Sequence, residues 1–151
     1  MIFHSVEHQL ILLSNQHHKK GESSEDIFLS TSAAWFLLYD AYHAIAEAYQ
    51  VNFVLRSIEP GYNIYINTDH SGQYFPDHYA VSIEDESYLT PVDISVGKKL
   101  EYGELFTTEA ALLERFAELG YPANTLEMLD TLLEDTGIEV RCFEDPFSLN
   151  E

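Results

Sequence analysis

Hydrophobic positions change period along this chain, and each change predicts an element. At the start two periods compete. Phe3, Val6, Leu10 and Leu13 recur at helical spacing, whereas Leu10-Ile11-Leu12-Leu13 is an apolar run that suits a buried strand. A polar stretch follows, with His17-His18-Lys19-Lys20-Gly21 and Glu22-Ser23-Ser24-Glu25-Asp26, and predicts a flexible loop over residues 14–26.

The spacing then predicts one long helix over residues 33–50, a span without Gly or Pro. Ser30, Thr31 and Ser32 offer hydroxyl oxygens to the unpaired N–H groups of its first turn. Trp35, Leu38, Tyr42, Ile45 and Tyr49 fall three or four apart and predict the inward stripe, with Asp40, His43 and Glu47 on the opposite face.

From residue 51 to 96 the period becomes two. Val51-Asn52-Phe53-Val54-Leu55, Tyr62-Asn63-Ile64-Tyr65-Ile66 and Tyr79-Ala80-Val81-Ser82-Ile83 predict strands, and residues 88–96 a further one that Pro91 confines to an edge or breaks. Pro60-Gly61 marks a turn, and Ser71-Gly72 with Pro76 a longer loop. Connections this short favour antiparallel pairing, because parallel strands need a long crossover.

Two helices are expected next. One is capped by Thr107 or Thr108, faces inward through Leu112, Leu113 and Phe116, and ends at Gly120. The other opens on Asn124-Thr125-Leu126-Glu127, a relative of the capping box, and runs through Leu126, Leu129 and Leu133 toward Gly137. Residues 138–143 predict a last strand and residues 144–151 a tail. The expected fold class is α+β: an antiparallel sheet of about four to five strands packed against one long central helix and a C-terminal helix pair. No repeat or linker divides the sequence, so one acidic domain over 1–151 is expected.

Charge changes this picture most. The 151 residues hold 26 acids against 7 Lys and Arg, a formal net charge of −19. With 46% hydrophobic and 13% aromatic residues the chain can still fill a core, so the acidity does not imply disorder. Residues 1–78 carry nine acids against three bases, and residues 79–151 seventeen against four. All seven His lie in the first stretch. The local acidic peaks are Glu84-Asp85-Glu86, Glu134-Asp135 and Glu144-Asp145.

Any one such cluster is ordinarily a solvated face. The whole set, so little compensated, repels itself and implies a cationic partner. Acids beside Tyr79, Tyr88 and Tyr102 suit a surface that grips Arg and Lys through carboxylate pairing and cation–π contact. The expected contact set is therefore Glu84, Asp85, Glu86, Tyr88, Tyr102, Glu134 and Asp135. Nucleic acid is excluded as a direct ligand, since Lys19-Lys20, Lys98-Lys99, Arg56, Arg115 and Arg141 cannot make a basic stripe.

Cys142 is the only cysteine, which excludes an internal disulfide and favours a reducing compartment. The first residues lack a basic segment and a small-residue cleavage site, and no apolar run is long enough for a membrane helix. A cytoplasmic protein is expected.

Candidate chemistry is sparse. His4-Ser5-Val6-Glu7-His8 matches H-x-x-E-H, in which a helix would bring His4 and His8 to one metal with Glu7 as base. Its place at the terminus and the lack of an identifiable third ligand argue against that use. Asp40, His43 and Glu47 share a helix face that reads as solvated. Asp69-His70 and Asp77-His78 flank a loop and could form carboxylate–imidazole pairs. No nucleophile context, phosphate loop or paired-cysteine site accompanies them, and Cys142 reads as a small strand hydrophobe.

Neither a catalytic residue nor a cofactor is expected. The leading expectation is a non-enzymatic binding protein that neutralises a basic partner, in the manner of an immunity-type inhibitor of a bacterial nuclease toxin. One alternative is a small metal-dependent hydrolase using His and Asp residues of the N-terminal half, with His4, His8, His70 and His78 as candidate ligands. Another is a DNA-mimic anti-restriction protein. A third is a domain that dimerises through its Tyr-rich strands.

Overall fold

A nine-residue strand, β1 (Val6–Ser14), pairs on both sides. Its partners are β2 (Ile27–Ala33) and β3 (Val51–Glu59), and β4 (Ile64–Asn67) adds to the far edge of β3. The order is β2-β1-β3-β4, antiparallel throughout, with Leu10 opposite both Leu29 and Leu55. The competition between helix and strand in the first segment is thus decided for the strand, as β-rich partners lie on either side.

This is a computed structural model, and it describes residues 6–14, 27–33, 39–59, 63–83, 100 and 103–148. It divides into two compact units, Met1–Pro76 with Glu144–Glu151, and Asp77–Phe143. The sequence expectations over 15–26, 34–38, 60–62 and 84–99 lie outside the described residues, including Trp35, Leu38 and the strand proposed around Pro91.

In the first unit, β3 buries alternate positions Leu55, Ser57 and Glu59, the period-two signature of a half-covered strand. Helix α1 (Tyr39–Tyr49) lays Tyr42 on Leu55, with Tyr39 and Phe53 packed around them. Three expectations are corrected here. Ser30, Thr31 and Ser32 are not helix caps but strand residues, opposite Gln9, His8 and Glu7. Thr serves strands well, and pairing with β1 outweighs the local capping signal. The described helix has 11 residues rather than 18, and its inward positions are Tyr42 and Ala46. Ile45 and Tyr49, expected inside, are exposed, Tyr49 by 76%.

The chain leaves α1 through Gln50 at φ 53, a left-handed turn that delivers it straight into β3. The segment Glu144–Ser148, expected as a tail, belongs to this first unit. Glu144 donates to Tyr65 O at 3.0 Å and accepts from Asn67 N at 3.0 Å, which bridges it to the edge strand β4.

The second unit holds a separate three-stranded antiparallel sheet. In it β5 (Tyr79–Ile83) lies between β6 (Leu105–Phe106) and β7 (Ile138–Cys142). The single sheet of four to five strands is therefore replaced by two sheets of four and three, because β4 and β5 are not partners. The helix pair follows the sequence closely. Helix α2 (Glu109–Glu118) is capped by Thr108, whose hydroxyl accepts from Ala111 N at 3.2 Å. It closes on Gly120 at φ 98, with Tyr121 N bonded to Phe116 O.

Helix α3 (Leu126–Leu133) is capped by Thr125 rather than Asn124, since it is the Thr125 hydroxyl that accepts from Met128 N. Leu112, Phe116, Leu129, Leu133, Val81 and Ile138 form the core, several wholly buried. Truncating one such Leu to Ala costs about 2–5 kcal/mol. Fold class is α+β, and among the described residues no helix is long and apolar enough to cross a membrane.

Candidate functional site

Two places carry chemistry, one in each unit. The first is built on the loop after β4. Asn67 opens it, accepting from Asp69 N through Oδ1 and donating through Nδ2 to Phe75 O at 2.8 Å. Asp69, only 4% exposed, then closes the loop around its carboxylate. One oxygen takes the Ser71 amide and hydroxyl, and the other takes Tyr74 N and Phe75 N at 2.7 and 3.0 Å. Burial disfavours the charge, yet the Ser71 hydroxyl and the three backbone donors outweigh it and hold the acid below its usual range. Thr68 anchors the start of the loop, its hydroxyl accepting from Leu55 N at 2.9 Å.

The loop fixes His70 at the surface, 69% exposed in its side chain. Its partner is not the adjacent Asp69 but Asp145, whose Oδ2 lies 2.7 Å from Nε2. The other oxygen of Asp145 accepts from Phe147 N at 3.0 Å, and Ser148 Oγ donates back to Asp145 O. This turn lays Phe147 flat on Tyr39, with centroids 3.6 Å apart and planes 9° apart. Tyr39 also meets Phe53 in a tilted contact. Between these groups opens a cleft of about 530 Å³, which His43 and Glu47 of α1 line from the helix side.

The expected Asp40, His43 and Glu47 face is exposed, as its polarity implied, and two of its members turn out to edge this cleft. Tyr39 and Phe147 belong to no sequence motif, while Phe53 reads only as a strand residue and Asp145 only as part of an acidic peak. Asp145-Pro146 is a local turn signal, but nothing in the sequence ties it to His70.

The metal-site expectations fare differently. Val6, Glu7 and His8 lie in a strand, so the helical turn that gives H-x-x-E-H its meaning is absent there, and His4 is outside the described residues. His78 belongs to the second unit, exposed, with its backbone bonded to Phe106 and Phe143. Among the described residues no three His, Cys, Asp or Glu side chains gather closely enough to hold a metal ion. Cys142, expected in a strand, is there but exposed.

The second place is the outer face of α3. Glu127, Asp130 and Glu134 follow one another at helical spacing, and Asp135 adjoins them at φ 66. All four are exposed, and none is ion-paired among the described residues. Beside them Met128 and Leu132 expose 44% and 38% of their surface. The described arginines of this unit are already engaged. Arg115 bridges Glu104 at 3.1 Å and Glu118 at 3.5 Å, and Arg141 pairs with Glu139. Of the expected contact residues, Glu134 and Asp135 lie on this face, while Glu84, Asp85, Glu86, Tyr88 and Tyr102 are outside the described residues.

Glu134 and Asp135 stand at the C-terminal end of α3, where backbone carbonyls concentrate negative charge and no basic residue occupies the last turn. Each carboxylate there works against the helix by about 0.3–1 kcal/mol. The pattern offers a donor-rich ligand a partly apolar surface whose acids have no ion pair among the described residues.

No protein family, no curated protein and no solved structure matches the chain.

Proposed function

We propose that this is a non-enzymatic acidic binding protein that neutralises a basic partner, acting as an immunity-type inhibitor of a bacterial nuclease toxin in the cytoplasm. One observation carries the reading. Helix α3 keeps Glu127, Asp130, Glu134 and Asp135 exposed, and without an ion pair among the described residues, beside Met128 and Leu132, two of those acids at the helix end that disfavours them. A face that costs stability and has no counter-ion among the described residues is explained by an external one. A nuclease supplies it, because an enzyme that holds a polyanion needs a cationic cleft. Exposed Met and Leu between the acids add contact area that a mimic of the phosphate backbone would not need, which favours the inhibitor over the DNA mimic.

The test is affinity purification from the native host with the wild-type chain and with a triple variant, Glu127→Lys, Asp130→Lys and Glu134→Lys. Wild type should retain a basic protein that salt elutes, and the variant should not. Equal retention by both would refute the reading.

A second reading, a small hydrolase of the His-bearing half, draws on the His70–Asp145 pair at the cleft. Such a pair orients an imidazole as a general base. Stoichiometric zinc or iron in the purified protein would favour this reading over the inhibitor.

A further inference from the structure

The cleft of the first unit has a chemistry of its own. Its volume, about 530 Å³, falls within the range of small-ligand sites. Among the described residues its lining carries the carboxylates of Glu47 and Asp145 and the imidazoles of His43 and His70, and no Lys or Arg. Three aromatic rings, Tyr39, Phe53 and Phe147, supply the apolar part. An anion would meet the two carboxylates here and, among the described residues, no Lys or Arg to pair with. A neutral apolar ligand would strand the carboxylates.

A group fits that carries positive charge, donates hydrogen bonds without accepting any, and has a flat face to set against rings. Guanidinium meets all three conditions, whereas an ammonium is a compact, strongly hydrated point charge that gains less from aromatic faces. We propose that this cleft binds a guanidinium group, presented by a free small molecule or by an arginine of a peptide.

Glu47 is the principal acceptor, since its carboxylate is exposed and has no ion pair among the described residues. Asp145 is a positioning residue: it spends one oxygen on His70 and the other on Phe147 N, and so holds the ring wall in place. The site shares no residue with the α3 face, so it stands or falls apart from the inhibitor reading.

Calorimetric titration tests it, using N-acetyl-arginine amide, the tripeptide Gly-Arg-Gly and their lysine counterparts as probes. Saturable binding of an arginine probe is expected, with lysine probes clearly weaker. Equal binding of the amide and the tripeptide would identify a free small molecule as sufficient, and binding of the tripeptide alone would identify a peptide-borne arginine. Glu47→Gln, a surface change that leaves the fold intact, should weaken binding roughly tenfold or more. Phe147→Leu should weaken it roughly threefold through the lost ring face. Absence of saturable binding, lysine probes as tight as arginine ones, or an undiminished affinity in Glu47→Gln would each overturn the proposal.

Discussion

Asp145 and His70 are 75 positions apart in sequence and 2.7 Å apart in space. Through this pair the last described turn of the chain is fastened to the loop that follows β4, in the unit where the chain began. One carboxylate does two jobs, because its second oxygen fixes the Phe147 amide and with it the ring that lies on Tyr39. A segment with no regular secondary structure thereby becomes a wall of the cleft.

Phe147→Ala should release that segment. The ring is half-buried, so the loss is expected at about 1–2 kcal/mol, less than for a fully buried aromatic. Hydrogen exchange should quicken at the amides of Glu144 and Asn67, which bond to Tyr65 O and Glu144 O. Asp145→Asn should cost less, under about 1 kcal/mol from the weakened contact with His70, because that imidazole is largely exposed to water. Unchanged exchange in Phe147→Ala would show that the β4 bridge alone holds the segment.

Asp69 makes stability depend on acid pH with a definite sign. Its folded pKa lies below the unfolded value near 3.8. The stabilisation it provides is therefore complete above that value and is lost as pH falls through the lower, folded one. Asp69→Asn replaces an acceptor oxygen with an amide facing backbone donors, and should cost about 2 kcal/mol at neutral pH. Urea unfolding of both proteins between neutral pH and pH of about 3 should show the gap narrowing toward the acid end.

Much of the second unit was legible because its signals are local. Thr108 and Gly120 delimit α2, Leu112 and Phe116 define its inward stripe, and β5 covers the alternating run from Tyr79 to Ile83. The first unit misled where pairing outweighed local preference. Ser30, Thr31 and Ser32 look like caps until β1 lies beside them, and Ile45 looks internal until α1 turns Ala46 toward the core. The cleft was illegible for a different reason: its walls come from α1, β3, the loop after β4 and the turn over residues 145–148. No periodicity within one segment reports a meeting of four.

Gln50 offers a test of backbone strain. Its φ of 53 places a side chain in the left-handed region where glycine carries no penalty. Gln50→Gly should raise stability by about 0.5–1 kcal/mol, read as a higher urea midpoint at unchanged slope. Its gain should exceed that of Asp135→Gly, since Asp tolerates this conformation better than Gln. A loss at position 50 would mean that the Gln side chain, rather than the turn, was stabilising the junction of α1 and β3.

Glu134 separates stability from binding. It caps the C-terminal end of α3, where the helix field favours a cation. Glu134→Lys should therefore stabilise the protein by about 0.3–1 kcal/mol, an increment that salt reduces. On the inhibitor reading the same change should slow association with the basic partner and flatten the dependence of that rate on ionic strength. A surface retained only for solubility would show the first effect without the second. A surface retained for a partner would show both, with stability and association moving in opposite directions from one substitution. Stopped-flow association across a salt series, paired with thermal unfolding of the same two proteins, reads both quantities. An association rate that Glu134→Lys leaves unchanged at low salt would remove α3 from the contact surface.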